Sequence, residues 1–134
     1  MNKSIRKLLT GVLVCTSLAT VGATAYATTG QFYFSIIKGQ RGISDVEIKD
    51  DNEQLAYITV NGGDVGDSAN DYMHMRVRTQ GGQFATASVA TTIGTYTTPY
   101  SVQAGKQGFG YKLYGQLDDM SNDAVGSSFG LWTP

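Results

Sequence analysis

An all-β fold, a single antiparallel β-sandwich or jelly roll of about eight short strands, is what this chain predicts. Three observations carry the expectation. Apolar and polar residues alternate with period two through nearly every segment after residue 27, the spacing of strands with one buried face. Most of those segments end in Gly, Asn or Asp, residues that form tight turns. No segment shows the 3.6-residue apolar repeat of an amphipathic helix.

The first 27 residues stand apart from this pattern. Lys3, Arg6 and Lys7 make a basic start, Leu8 to Val14 opens a short apolar run, and Ala25-Tyr26-Ala27 places small residues where a signal peptidase needs them. The stretch 1–27 therefore predicts a secretory signal peptide, leaving 28–134 as one β-sandwich domain that begins at Thr28. Gly11, Thr16, Ser17 and Thr20 interrupt the apolar run, which falls short of the roughly 18 residues of a spanning helix. No transmembrane segment is expected in the mature chain. The rival is a lipoprotein signal cut before Cys15, but Val14 stands where Gly, Ala or Ser normally precedes an acylated cysteine.

Removing the leader changes the chemistry of what remains. Three of the ten bases and none of the eleven acids fall within it, so residues 28–134 carry a formal charge of −4. That balance argues against nucleic acid or anionic membrane as a general partner. The single cysteine leaves with the leader, so an exported domain must be held by its core without a disulfide. With one histidine and no cysteine, a Cys/His zinc site is excluded.

Taken in order, Phe32, Phe34 and Ile36 make the first apolar face, and Gly39 to Gly42 ends it. Val46 and Ile48 are expected inward, with Asp45, Glu47 and Lys49 outward. Ala56, Ile58 and Val60 form the next inner face, stopped by the turn dipeptide Asn61-Gly62, and residues 61–71 form a loop. Met73, Met75 and Val77 then face in, opposite Tyr72, His74, Arg76 and Arg78. Gln80-Gly81-Gly82-Gln83 predicts a hairpin turn. Ala85, Ala87 and Val89 form the inner set of a strand over 84–93, their small size suited to a closely facing sheet. Tyr96, Thr98, Tyr100 and Val102 alternate beside Pro99, whose missing amide donor places the segment at an edge. Phe109, Tyr111 and Leu113 share one face, and Val125, Ser127, Phe129 and Leu131 share another. Trp132 is expected in the core or closing a sheet.

Five side chains are the candidate binding residues. His74, Arg76 and Arg78 form one stripe, where paired guanidinium donors suit a carboxylate, phosphate or acidic sugar and two positive charges favour the neutral imidazole. The plain alternative is a solvated face balanced by Asp45 and Glu47. Tyr96 and Tyr100 are expected exposed, as rings able to stack on a sugar or anchor in a partner. No cofactor or metal is assigned. Asp64, Asp67 and Asp71, beside Asn70, are the calcium candidates of one loop, and Asp118, Asp119, Asn122 and Asp123 crowd a second. Neither follows the helical calcium-loop spacing, and both suit ordinary turns.

Gly126-Ser127-Ser128-Phe129-Gly130 matches the G-x-S-x-G pattern of a nucleophile elbow. That elbow needs a strand-to-helix turn with an acid and then a histidine downstream, whereas His74 lies upstream and only four residues follow the motif. No enzymatic activity is expected.

Phe32-Tyr33-Phe34-Ser35-Ile36, Arg76-Val77-Arg78 and the run from Ser121-Asn122 to Trp132-Thr133-Pro134 carry a likeness. In these the chain resembles a group of small secreted proteins of uncharacterised function from Gram-positive bacteria. The resemblance implies a small β-sandwich outside the cell and supplies no catalytic residue. Two classes of function follow. One is a secreted interaction module for a cell-surface polymer, a protein or, through the Pro99 edge, its own kind; the other is a secreted antibacterial protein of the bacteriocin type.

Overall fold

The computed structural model describes residues 28–68, 70–101 and 104–134. The leader, its Cys15 and Val102 lie outside the described residues.

Nine strands form two antiparallel sheets, and no helix occurs among the described residues. The strands are β1 (Gly30–Ile37), β2 (Gly42–Ile43), β3 (Glu47–Ile48), β4 (Leu55–Gly63), β5 (Met73–Thr79), β6 (Val89–Thr91), β7 (Gly94–Pro99), β8 (Gly110–Leu117) and β9 (Val125–Thr133). The first sheet runs β1-β9-β4-β7, and the second β2-β8-β5-β6, with β3 also paired to β8. The short strand β2 brings the number one above the expected eight. No helix among the described residues is long and apolar enough to cross a membrane.

Alternation places the core as expected in β1, β4 and β5. Phe32, Phe34 and Ile36 face Met73, Met75 and Val77 across the sandwich, with Ala56, Ile58 and Val60 beside them. Phe34 is the clearest knob. A Cβ added at Gly115 on β8 would lie 2.7 Å from its ring, and one at Gly42 would lie 2.6 Å away, so two glycines make the hole that the ring fills.

Several expected faces are corrected. In β9 the set Val125, Ser127, Phe129 and Leu131 shares a face as expected, and that face is the outer one; Gly126, Ser128, Gly130 and Trp132 point inward. Two close approaches force this phase, because a Cβ on Gly126 would collide with Leu117 and one on Gly130 with the Thr59 carbonyl. Asn61-Gly62 is not a turn. The strand continues through it with a bulge, Val60 pairing Gly130 and Gly62 pairing Phe129.

A second bulge lies where Ala85 N and Thr86 N both donate to the Val77 carbonyl, at 3.1 and 3.2 Å. The extra residue flips the phase, burying Thr86 and exposing Ala87. Phe109 precedes the pairing of β8 and is exposed.

Lys49 reverses its expected direction. Its ammonium is buried, donating to Asp51 Oδ1 at 2.8 Å and the Pro134 carbonyl at 3.0 Å, with the Tyr100 ring 5.1 Å away. A buried charge persists only with such partners, and Ile48 consequently turns outward.

Candidate functional site

The outer face of β5 carries the site. With Met73, Met75 and Val77 committed to the core, His74, Arg76 and Arg78 must emerge on the opposite side. Register sets their neighbours on β8: His74 faces Gln116, Arg76 faces Tyr114 and Arg78 faces Lys112. Arg41, ahead of β2, joins them, and together they line a concavity of about 150 Å³ with Ser88 and Tyr114.

Aromatic rings hold the guanidinium groups in place. The Cζ atoms of Arg76 and Arg78 lie 4.0 and 4.5 Å from the Phe84 ring centroid, and Arg78 also lies 4.4 Å from that of Tyr114. Stacking orients a guanidinium through its flat face. Arg78 donates one longer bond, 3.4 Å, to the Gly82 carbonyl. The Nε atoms of both arginines are buried without a hydrogen-bond partner.

The acids that the plain alternative sets against this stripe form no ion pair with its arginines. Two ion pairs occur among the described residues, Lys49 with Asp51 and His74 with Asp118, and neither involves an arginine. Glu47 lies instead against Gly30; burial, and then the Asp45 charge, push its carboxyl above the usual carboxylate range. Burial lowers Arg78 from its ordinary value, and the like charges of Arg41 and Arg76 act in the same direction. The cleft is a concentration of uncompensated positive charge on a chain whose net charge is negative.

His74 sits at one end. Its Nε2 lies 2.5 Å from Asp118 Oδ2. The His74 contact, followed by the Met120 amide, lowers Asp118 below its ordinary value. Asp118 is therefore the carboxylate acceptor, and the imidazole N–H donates to it.

Tyr96 and Tyr100 do not reach this cleft, and their expected exposure is corrected. β7 is the edge strand of the first sheet, as Pro99 foretold. The face that Tyr96 shares with Thr98, and that Tyr100 continues just past the strand, is nevertheless the inner one. Tyr100 is buried edge-on to Tyr111 with ring centroids 5.4 Å apart, and burial drives its phenol far above its ordinary value. Tyr96 is half-buried, its hydroxyl accepting the Thr92 amide at 3.0 Å.

The two acidic loops come together in part. Asp67, Asp71 and Asp123 each place an oxygen within 4.8 Å of the others. Asp64 is drawn off to β9, where its Oδ1 accepts the Ser127 amide at 2.6 Å. Ser128 lies in mid-strand with its hydroxyl in the core and unpartnered, far from the turn an elbow needs.

On the outer face of the first sheet, Tyr33 and Phe129 stack at 6.4 Å beside Gln31, Asn61 and Leu131, around a shallow concavity of about 500 Å³. This groove, Arg41 and Phe84 were not among the sequence candidates. An isolated exposed Phe two positions past a Gly-Gly turn was the available signal for Phe84.

Comparison of the chain with protein-family models, with curated proteins and with solved structures finds no match.

Proposed function

We propose that the protein is a secreted, non-enzymatic interaction module that acts at or near the bacterial cell surface. It holds an anionic group of a surface polymer or protein in the Arg41/Arg76/Arg78 cleft. The observation that carries this reading is the pair of buried, unpartnered Nε donors on two stacked arginines with no carboxylate beside them.

Leaving a buried donor unsatisfied costs about 1–3 kcal/mol. A carboxylate or phosphate in the cleft neutralises the mutual repulsion of the guanidiniums, and a rotation of either side chain that turns its Nε–H toward that group removes the cost as well. Arginine offers such groups two parallel N–H donors, a geometry lysine lacks. The cavity of about 150 Å³ suits one such group rather than a whole large ligand, which favours a polymer or chain that presents it. Binding rather than turnover fits the site, since the Ser128 hydroxyl faces the core and no acid or histidine among the described residues hydrogen-bonds it.

The test is co-sedimentation of purified protein with cell-wall preparations, run beside exposure of live related bacteria. Wild type, the double variant Arg76→Ala/Arg78→Ala and Ser128→Ala are compared. Wall association lost in the arginine variant and kept in the serine variant supports the module. Killing without wall association selects the antibacterial reading, and Ser128-dependent cleavage of wall material contradicts both.

A further inference from the structure

We infer that Asp67, Asp71 and Asp123 form a calcium site that ties the loop between β4 and β5 to the turn between β8 and β9. The site is separate from the arginine cleft and does not depend on the binding reading given above.

Two of the carboxylates come from one loop and the third from a turn more than fifty residues on, yet each offers an oxygen within 4.8 Å of the other two. One calcium ion coordinating oxygens at about 2.3–2.6 Å spans such a spread. A cluster of acids alone signifies little, because exposed acids converge in many loops. The decisive group is Asp71, only 1% exposed. Its Oδ2 accepts the Gly66 amide at 3.0 Å, while its Oδ1 is buried with no hydrogen-bond partner. A buried ionised oxygen without a partner is costly, and here it belongs to a carboxyl group adjoining two others.

No lysine or arginine relieves this crowding, since both ion pairs among the described residues lie elsewhere. The cluster thus calls for a proton or a cation. All three donors are hard oxygens, with no imidazole or thiolate, which disfavours zinc and copper. Three carboxylates supply three to six oxygens, and water completes the six to eight that calcium takes. Magnesium demands a tighter octahedron and sheds water reluctantly, so it fits the site less well.

Asp71 is too buried for a clean variant, so the tests are Asp67→Asn, at an exposed position, and Asp123→Asn, at a half-buried one. Isothermal titration of the purified protein with calcium is expected to give a Kd of about 10⁻⁴–10⁻³ M. Thermal melts at 10 mM calcium are expected to rise by at least about 5 °C over melts in chelator, with a smaller rise in magnesium. Either variant should weaken calcium binding at least about tenfold. In chelator each should melt at or above wild type, because one like charge has gone. The absence of any calcium-dependent shift at 10 mM overturns the inference, and so does a shift that both variants leave intact.

Discussion

Truncating Phe84 to Ala separates the stacking that orients the cleft from the charge that fills it. The ring is 61% exposed, so about two-fifths of it is buried. Full burial of a Phe side chain stabilises by about 1.5–3 kcal/mol, making the lost packing worth roughly 1 kcal/mol. Two guanidinium contacts add about 0.5–1 kcal/mol each at an exposed site. The variant should therefore lose about 2–3 kcal/mol, less than the usual stability of a domain this size, and still melt cooperatively. Binding should suffer more visibly. Freed of the ring, Arg76 must be immobilised again on binding, at about 0.5–1.5 kcal/mol, while Tyr114 still holds Arg78. That amounts to an affinity for cell walls roughly 2- to 13-fold weaker, with both charges still present. Circular dichroism melts and wall co-sedimentation isotherms measure the two effects side by side. Unchanged wall affinity in a folded Phe84→Ala protein would refute the idea that the ring positions the arginines.

Other consequences concern the sheet, the acid limb and export. Gly130→Ala drives a Cβ into the Thr59 carbonyl, and should cost about 1–3 kcal/mol or more in a thermal melt; an unchanged melt contradicts the β4–β9 register. Asp118 has a folded pKa below its ordinary 3.8, so its contribution is fully present above about pH 4 and is lost as pH falls through the folded value. Asp118→Asn should accordingly abolish that part of the acid transition, and identical acid titrations of variant and wild type count against the His74–Asp118 bond. Intact mass spectrometry of culture supernatant should show a chain beginning at Thr28, whereas a lipid-modified start at Cys15 contradicts export as a free domain.

Where local alternation alone decides which face is buried, as in β1 and β5, the residues could be read directly. The inner residues Phe32, Phe34, Met73 and Val77 stand where their spacing puts them. Elsewhere, contacts distant in sequence decide the phase. β9 turns its larger apolar residues outward because the Thr59 carbonyl admits only glycine at Gly130 and the Leu117 side chain fills the space beside Gly126. Two bulges shift Asn61 and Ala87 by one residue each, and no local pattern marks where a ladder takes an extra residue. Lys49 is buried by a partner 85 residues away.

The same distinction holds at the functional groups. The stripe of His74, Arg76 and Arg78 was legible because all three lie on one strand. Arg41 and Phe84 reach it from other segments, and Asp123 joins Asp67 and Asp71 from a loop some fifty residues on. Tyr100 was misread because an edge strand still has an inner face.

The central claim, that the arginine cleft takes an anionic group through its guanidinium N–H groups, is tested most directly by nuclear magnetic resonance of the arginine Nε–H groups during titration with inorganic phosphate at constant ionic strength. The Arg76 and Arg78 signals should shift saturably and together, to an extent that chloride does not reproduce, and the response should be weaker in Phe84→Ala at the same phosphate concentration. Signals that stay in place, or that move linearly and equally with phosphate and chloride, would show that the two donors remain unpartnered in solution and that the cleft is not a binding site.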